Sequence, residues 1–220
     1  MLDDNWGPLQ YLDDVPTPAS LQRVAQELIQ VHPSKAARDF IYVDEQNFSR
    51  IHLLLVGEED SACAGGFFHF FVKFPHFYPV SPPRVRFLTT AFGKARFHDK
   101  LLPCGKVLID ELGTTLDIRV GQKYVSKHDC REVEVASGGR LDGALKGDSR
   151  LPPYFRDIII ERFLSNYDQY ENRLTTKIKG VPFATGDGYN YKKEEQLARL
   201  RSYKEKAELH AQAQAENEEM

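Results

Sequence analysis

The chain has 220 residues, enough to bury about 70% of its unfolded surface without a disulfide or metal staple. Its 29 basic and 32 acidic residues leave a formal charge of −3, which argues against a protein built mainly to grip nucleic acid or anionic lipid. No run approaches the ~18 apolar residues of a membrane span, and Met1 to Gly7 lacks a signal pattern. Three unevenly spaced cysteines, Cys63, Cys104 and Cys130, read as reduced thiols of a cytoplasmic or nuclear protein.

Residues 1–16 read as an irregular acidic N-terminus carrying Trp6, the one tryptophan. Thr17-Pro18 is an N-cap followed by proline at the first helical position, and Leu21, Val24, Ala25, Leu28 and Ile29 follow at helical spacing until Pro33. Four β-branched or aromatic runs come next: Phe40–Val43, Ile51–Val56, Phe67–Phe74 and Val85–Leu88. Their short polar, Gly or Pro separators predict an antiparallel meander. The segment 75–83, PHFYPVSPP, holds four prolines in nine residues and is expected as a rigid, extended surface connection.

Residues 89–150 carry no long periodic segment, and the glycine cluster SGGRLDGALKG is expected as a flexible loop. That cluster lacks the G-x-x-x-x-G-K-[ST] pattern of a phosphate cradle. One helix is predicted from Pro153 to Leu174 on the stripe Phe155, Ile159, Phe163, Tyr167, Tyr170 and Leu174. Residues 190–219 are highly charged around a thin stripe of Leu197, Leu200 and Tyr203, and predict a solvated helix frayed at its glutamate-rich end.

The stretch GGFFHFFVKFPHFYPVSPPRVRFLTT, residues 65–90, resembles the core signature of ubiquitin-conjugating enzymes. R-V-x-x-x-T-T, R-F and G-K-V-x-x-x-x-L-G-T narrow the resemblance to the Z type, as do Tyr167 to Glu171, Arg173-Leu174 and Pro182-Phe183. The resemblance implies an α+β fold with an N-terminal helix, a four-stranded antiparallel meander and C-terminal helices. It covers roughly 20–115 and 151–220 and fails between them, so the central helix is expected to be lost. The implied organisation is an N-terminal segment 1–16, a core 17–113, an irregular insert 114–150 in place of the family's crossover, and a helical extension 151–220.

The resemblance also says what is missing. Family members carry ubiquitin as a thioester on a cysteine directly after G-K-V, and that reaction needs an ionisable sulfur. Here the residue after Gly105-Lys106-Val107 is Leu108. The family's asparagine, thought to steady the oxyanion, is replaced by Lys100. The Trp-x-Pro element after the cysteine is absent. Cys104, four residues before Leu108, is the only substitute nucleophile on that loop, and an unactivated surface thiol is the plainer reading. No cofactor is implied. A zinc site from His98, Cys104, His128 and Cys130 fits no paired-ligand spacing.

By resemblance, partners would be ubiquitin or a ubiquitin-like protein, an activating enzyme or a ligase. Phe77, Tyr78, Pro79 and Val80 form the ligase-facing loop, with Tyr78 and Pro79 expected to pack beneath the sheet. Arg23 is the one clear cation that the first helix offers an activating enzyme. The leading expectation is a catalytically silent member of the ubiquitin pathway acting as a binder. The alternative is an active Z-type enzyme represented by a mis-spliced or mispredicted chain, which an uninterrupted G-K-V-C-L transcript would reveal.

Overall fold

The computed structural model describes residues 6–30, 38–58, 64–90, 100–114, 140–148, 150–176 and 187–218. Two compact units divide the chain, Met1–Gly139 and Arg140–Met220.

In the first unit, helix α1 (Pro18–Gln30) starts where the cap signal predicts. The Ser20 N–H donates to Thr17 Oγ1 at 3.1 Å, which satisfies one of the orphan donors of the first turn. Only part of the expected stripe turns inward: Val24 is buried, whereas Ile29 is 79% exposed. Strands β1 (Asp39–Val43), β2 (Arg50–Val56), β3 (Phe67–Lys73) and β4 (Arg84–Phe87) follow in the predicted antiparallel order β1-β2-β3-β4. The register aligns Leu53 with Phe70 and Phe70 with Phe87. Two-residue alternation therefore gathers Leu55, Phe68, Phe70, Val85 and Phe87 on one face, where they pack with Leu101, Val107 and Leu112. Phe67, His69, Phe71 and Lys73 are buried on the other face.

Among its described residues, 6–16, the N-terminal segment carries one short regular element. Pro8–Tyr11 form a 3-10 turn, and polar side chains from the sheet clamp the residues after it by their backbone carbonyls. Lys73 Nζ donates to Asp14 O at 2.5 Å and to Ser49 Oγ at 2.5 Å. Arg50 donates to Leu12 O at 3.0 Å, and the Arg84 guanidinium lies 3.5 Å above the Tyr11 ring. Residues 76–80 also differ from expectation. They coil in successive turns rather than run extended, with the Ser81 N–H reaching Phe77 O at 3.0 Å. This loop is moored to α1, since His76 O accepts both the Thr17 N–H at 3.2 Å and the Ser20 hydroxyl at 2.8 Å.

The second unit is helical. Residues 140–146, expected as part of a flexible loop, form helix α2. Leu141 and Ala144 are buried three residues apart, and Asp142 and Lys146 make an i,i+4 ion pair at 2.7 Å. Gly147, at φ +72°, ends the helix in the left-handed conformation glycine favours. The single helix expected over 153–174 is two: α3 (Pro153–Ser165) and α4 (Tyr167–Thr176). Asn166 makes the break, with φ −104° and ψ 7°, its side-chain amide donating to Arg162 O at 2.9 Å. Helix α5 (Asp187–Glu218) stays helical through its glutamates. It is not wholly solvated, because Tyr203 and Ala207 are buried where it packs along α3 and α4. No helix among the described residues is long and apolar enough to cross a membrane.

Candidate functional site

The G-K-V loop is built as a small extra hairpin on the open edge of β4. The Leu102 N–H donates to Lys106 O at 2.9 Å, and the Leu108 N–H donates to Lys100 O at 2.8 Å, so Leu101 and Val107 face each other across it. The Phe87 N–H reaches Gly105 O at 2.8 Å and fastens the hairpin to the sheet. Only glycine fits at 105: its φ is +92°, and a Cβ would sit 2.6 Å from Phe87 O. Beyond Leu108 a 3-10 turn, Asp110–Leu112, closes on Gly113 at φ +65°. The Thr114 hydroxyl then clips the chain back, donating to Val107 O at 2.6 Å and accepting the Ile109 N–H at 3.1 Å.

This scaffold holds a hydrocarbon at the residue after G-K-V. Leu108 is 5% exposed, beside the buried Val107. Lys100 has an exposed side chain and contributes its carbonyl to the hairpin. Cys104 is exposed at the hairpin's tip, where its carbonyl accepts a hydrogen bond from Arg86 at 3.1 Å. It is the one cysteine among the described residues. His98, Asp99, His128, Cys63 and Cys130 lie outside them. Among the described residues no three His, Cys, Asp or Glu side chains cluster as a metal would need.

A second group of named residues sits at the moored loop. Val80 is 89% exposed and Phe77 63%. Pro79 is exposed and Tyr78 half-buried, so neither packs beneath the sheet as expected. The reason is local: the Tyr78 ring stands edge-on to Phe74 at 4.7 Å, and its hydroxyl donates to Glu27 on α1. Arg23, on the same helix, pairs with Glu27 at 2.7 Å. Burial, reinforced by the Glu27 carboxylate, pushes the Tyr78 phenol up to about 12. The hydrogen bond from Tyr78 is the main cause that holds the Glu27 carboxyl below its ordinary range.

The sign of each shift fixes a pH dependence. Glu27, lowered in the folded state, contributes stability above the usual carboxylate range and loses it as pH falls through its folded value. Tyr78 contributes below its ordinary value near 10 and loses it as pH rises towards 12. Tyr78→Phe is therefore expected to lower stability at pH 7 by about 0.5–1 kcal/mol, a small figure because solvent screens the pair. The gap between the melting curves of variant and parent should narrow below pH 4 and again above pH 11. A gap constant with pH would contradict the assignment.

Sequence reasoning passed over Trp6 and Thr114 as contributors to this region. Thr114 lay inside the quoted G-T pattern without a role. For Trp6 there was no signal, because its neighbours Arg86 (5.4 Å to the ring centroid) and Lys106 (5.9 Å) are distant in sequence.

The family model "Ubiquitin-conjugating enzyme" matches residues 21–125. Ubiquitin-conjugating enzyme E2 Z of Danio rerio is 32% identical over 113 residues, 50% of this chain and 34% of that one. The Homo sapiens protein of the same name is 33% identical over 97 residues, 44% of this chain and 27% of that one. Probable ubiquitin-conjugating enzyme protein 17 of Caenorhabditis elegans is 31% identical over 196 residues, 86% of this chain and 25% of that one. The chain thus spans between a quarter and about a third of the length of these relatives. A crystal structure of a ubiquitin-conjugating enzyme from Plasmodium falciparum is 21% identical with a TM-score of 0.37, covering 55% of this chain and 84% of that one.

Proposed function

Because residues 21–125 carry a ubiquitin-conjugating enzyme domain, which makes this chain a member of that family in the ubiquitin pathway, we propose that it is a non-catalytic member that works by binding. The observation that carries this reading is Leu108: a buried aliphatic side chain on the G-K-V hairpin, where the chemistry needs a thiolate. The hairpin itself is closed by backbone hydrogen bonds and tied to β4, so what is lacking is the nucleophile and not the loop that would hold it. The binding surface is the exposed tip of the moored loop, Phe77, Pro79 and Val80, with α1 and Arg23 beside it. Its partner class is a ligase or another protein of the pathway, in the cytoplasm or nucleus.

The test is a charging reaction of the full chain with ubiquitin, ATP and an activating enzyme, resolved without reductant. No adduct sensitive to dithiothreitol is expected on the parent chain, and its appearance would overturn the proposal. If an adduct formed and Cys104→Ser abolished it while Cys63→Ser did not, the hairpin tip would be the carrier. Leu108→Cys is the matched positive control for the missing sulfur.

A second reading draws on the 196-residue match, which runs beyond the domain into the helical unit. On it, the locus encodes an active conjugating enzyme and this chain is a variant product. A transcript reading G-K-V-C-L through this region would establish it.

A further inference from the structure

The four-stranded sheet has two edges. At the β4 edge the G-K-V hairpin takes up the Phe87 N–H through Gly105 O. Strand β1 forms the opposite edge, and among the described residues no strand pairs with its outer side. Edge strands are ordinarily guarded by a proline, a lysine or a bulge. β1 reads Asp-Phe-Ile-Tyr-Val, carries neither proline nor lysine, and runs against β2 in unbroken register.

The bonds at its two ends fix which backbone groups face outward. The Val56 N–H donates to Arg38 O at 2.9 Å, and the Asp44 N–H donates to Arg50 O at 3.0 Å. The even-numbered residues therefore bond inward to β2, and the N–H and C=O groups of Asp39, Ile41 and Val43 point away from it. This edge is also self-complementary. A two-fold axis at Ile41 sets that residue against its own equivalent and Asp39 against Val43, and each such pairing exchanges two backbone hydrogen bonds. The same rotation brings Phe40 opposite Tyr42 and Arg38 opposite Asp44. Within one copy Arg38 already pairs with Glu58 at 3.4 Å, and Asp44 with Arg50 at 3.9 Å. Across the axis the two pairs join into a row of alternating sign: Glu58, Arg38, Asp44, Arg50. A slip of two residues towards the turn would instead face Asp39 with Glu45, and like charges directly opposite destabilise a ladder.

We propose that the protein associates with a second copy of itself through the outer edge of β1, in an antiparallel two-fold ladder centred on Ile41. The backbone supplies the attraction, and the Arg38–Asp44 pairs fix the register. Five residues per copy cover less than the roughly 1,200 Å² of a stable complex, so the dimer is weak and concentration-dependent. It engages neither the G-K-V hairpin nor the proline-rich loop, and it does not depend on whether the chain forms a thioester.

The test is sedimentation velocity of the full chain at low salt, where a shift from monomer to dimer is expected between about 5 and 500 µM. Arg38→Glu and Asp44→Arg should each weaken self-association by about fivefold or more, because each sets like charges face to face twice per dimer. The fold should tolerate both, since these side chains are 33% and 31% exposed. Mixed in equal amounts, the two variants should recover the parent's association to within about twofold, since every copy then meets the charge opposite to its own. Damage within one chain cannot produce that rescue. On the unaltered parent, a blocked peptide with the sequence of residues 38–44 should compete with dimer formation, and a scrambled one should not. A parent that stays monomeric throughout overturns the proposal and leaves the edge to a strand of another protein. So does a mixture that associates no better than its components, or a scrambled peptide that competes equally well.

Discussion

Gly105→Ala is expected to lower the stability of the first unit by about 3 kcal/mol, enough to consume a large part of an ordinary domain's margin. Two costs combine. A side chain held at φ +92° is strained by roughly 1–2 kcal/mol wherever the backbone cannot relax. Relaxation is blocked on one side by Phe87 O, 2.6 Å from the new carbon, and that oxygen belongs to the sheet. The hairpin must therefore lift, which breaks the 2.8 Å bond from the Phe87 N–H to Gly105 O at a further cost of about 1 kcal/mol. Urea unfolding followed by Trp6 emission measures the change. A loss below 1 kcal/mol would mean that the hairpin moves freely and that Leu108 is not held where the sheet puts it.

Phe87→Ala is the second large effect, with an expected loss of about 3–5 kcal/mol. Phe87 is 1% exposed and central to the face beneath the hairpin, with its ring 5.0 Å from Phe70 and 6.3 Å from Phe68. Val107 closes the same cluster from the hairpin, so truncating Phe87 undermines the floor on which the site is built. The internal comparison is Phe77→Ala. That ring is 63% exposed, and its removal should change stability by less than 0.5 kcal/mol. Equal losses for the two phenylalanines would contradict the burial pattern.

The strands were legible because they are β-branched or aromatic runs and their separators are turn formers. Phe67 to Lys73 could scarcely read as anything else. The departure from the family's motif was equally plain, since Leu108 and Lys100 stand within a pattern long enough to number by position. Other features depend on partners that sequence does not display. Helix α2 hid behind Gly139, Gly143 and Gly147, although Leu141, Ala144 and the Asp142–Lys146 pair carry its spacing. The break at Asn166 follows from a side-chain amide turning back to a carbonyl, which no hydrophobic count registers. A cleft of about 460 Å³ was invisible because its walls come from Trp6, the proline-rich loop, β4 and the hairpin, brought together only by the fold.

The clamp on the N-terminal segment carries a practical consequence for how this protein is handled. Lys73 has no exposed surface, and burial lowers the affinity of its amine for a proton. Its two oxygen partners are Ser49 and the carbonyl of Asp14, so half of its solvation shell is supplied by residues that composition alone would mark as a dispensable leader. Trimming the chain to the helix start at Pro18 would uncork a buried amine, not remove a tail. The minimal folding piece of the first unit therefore begins upstream of the helix, and among the described residues Lys73 is the lysine to which acylating reagents have least access.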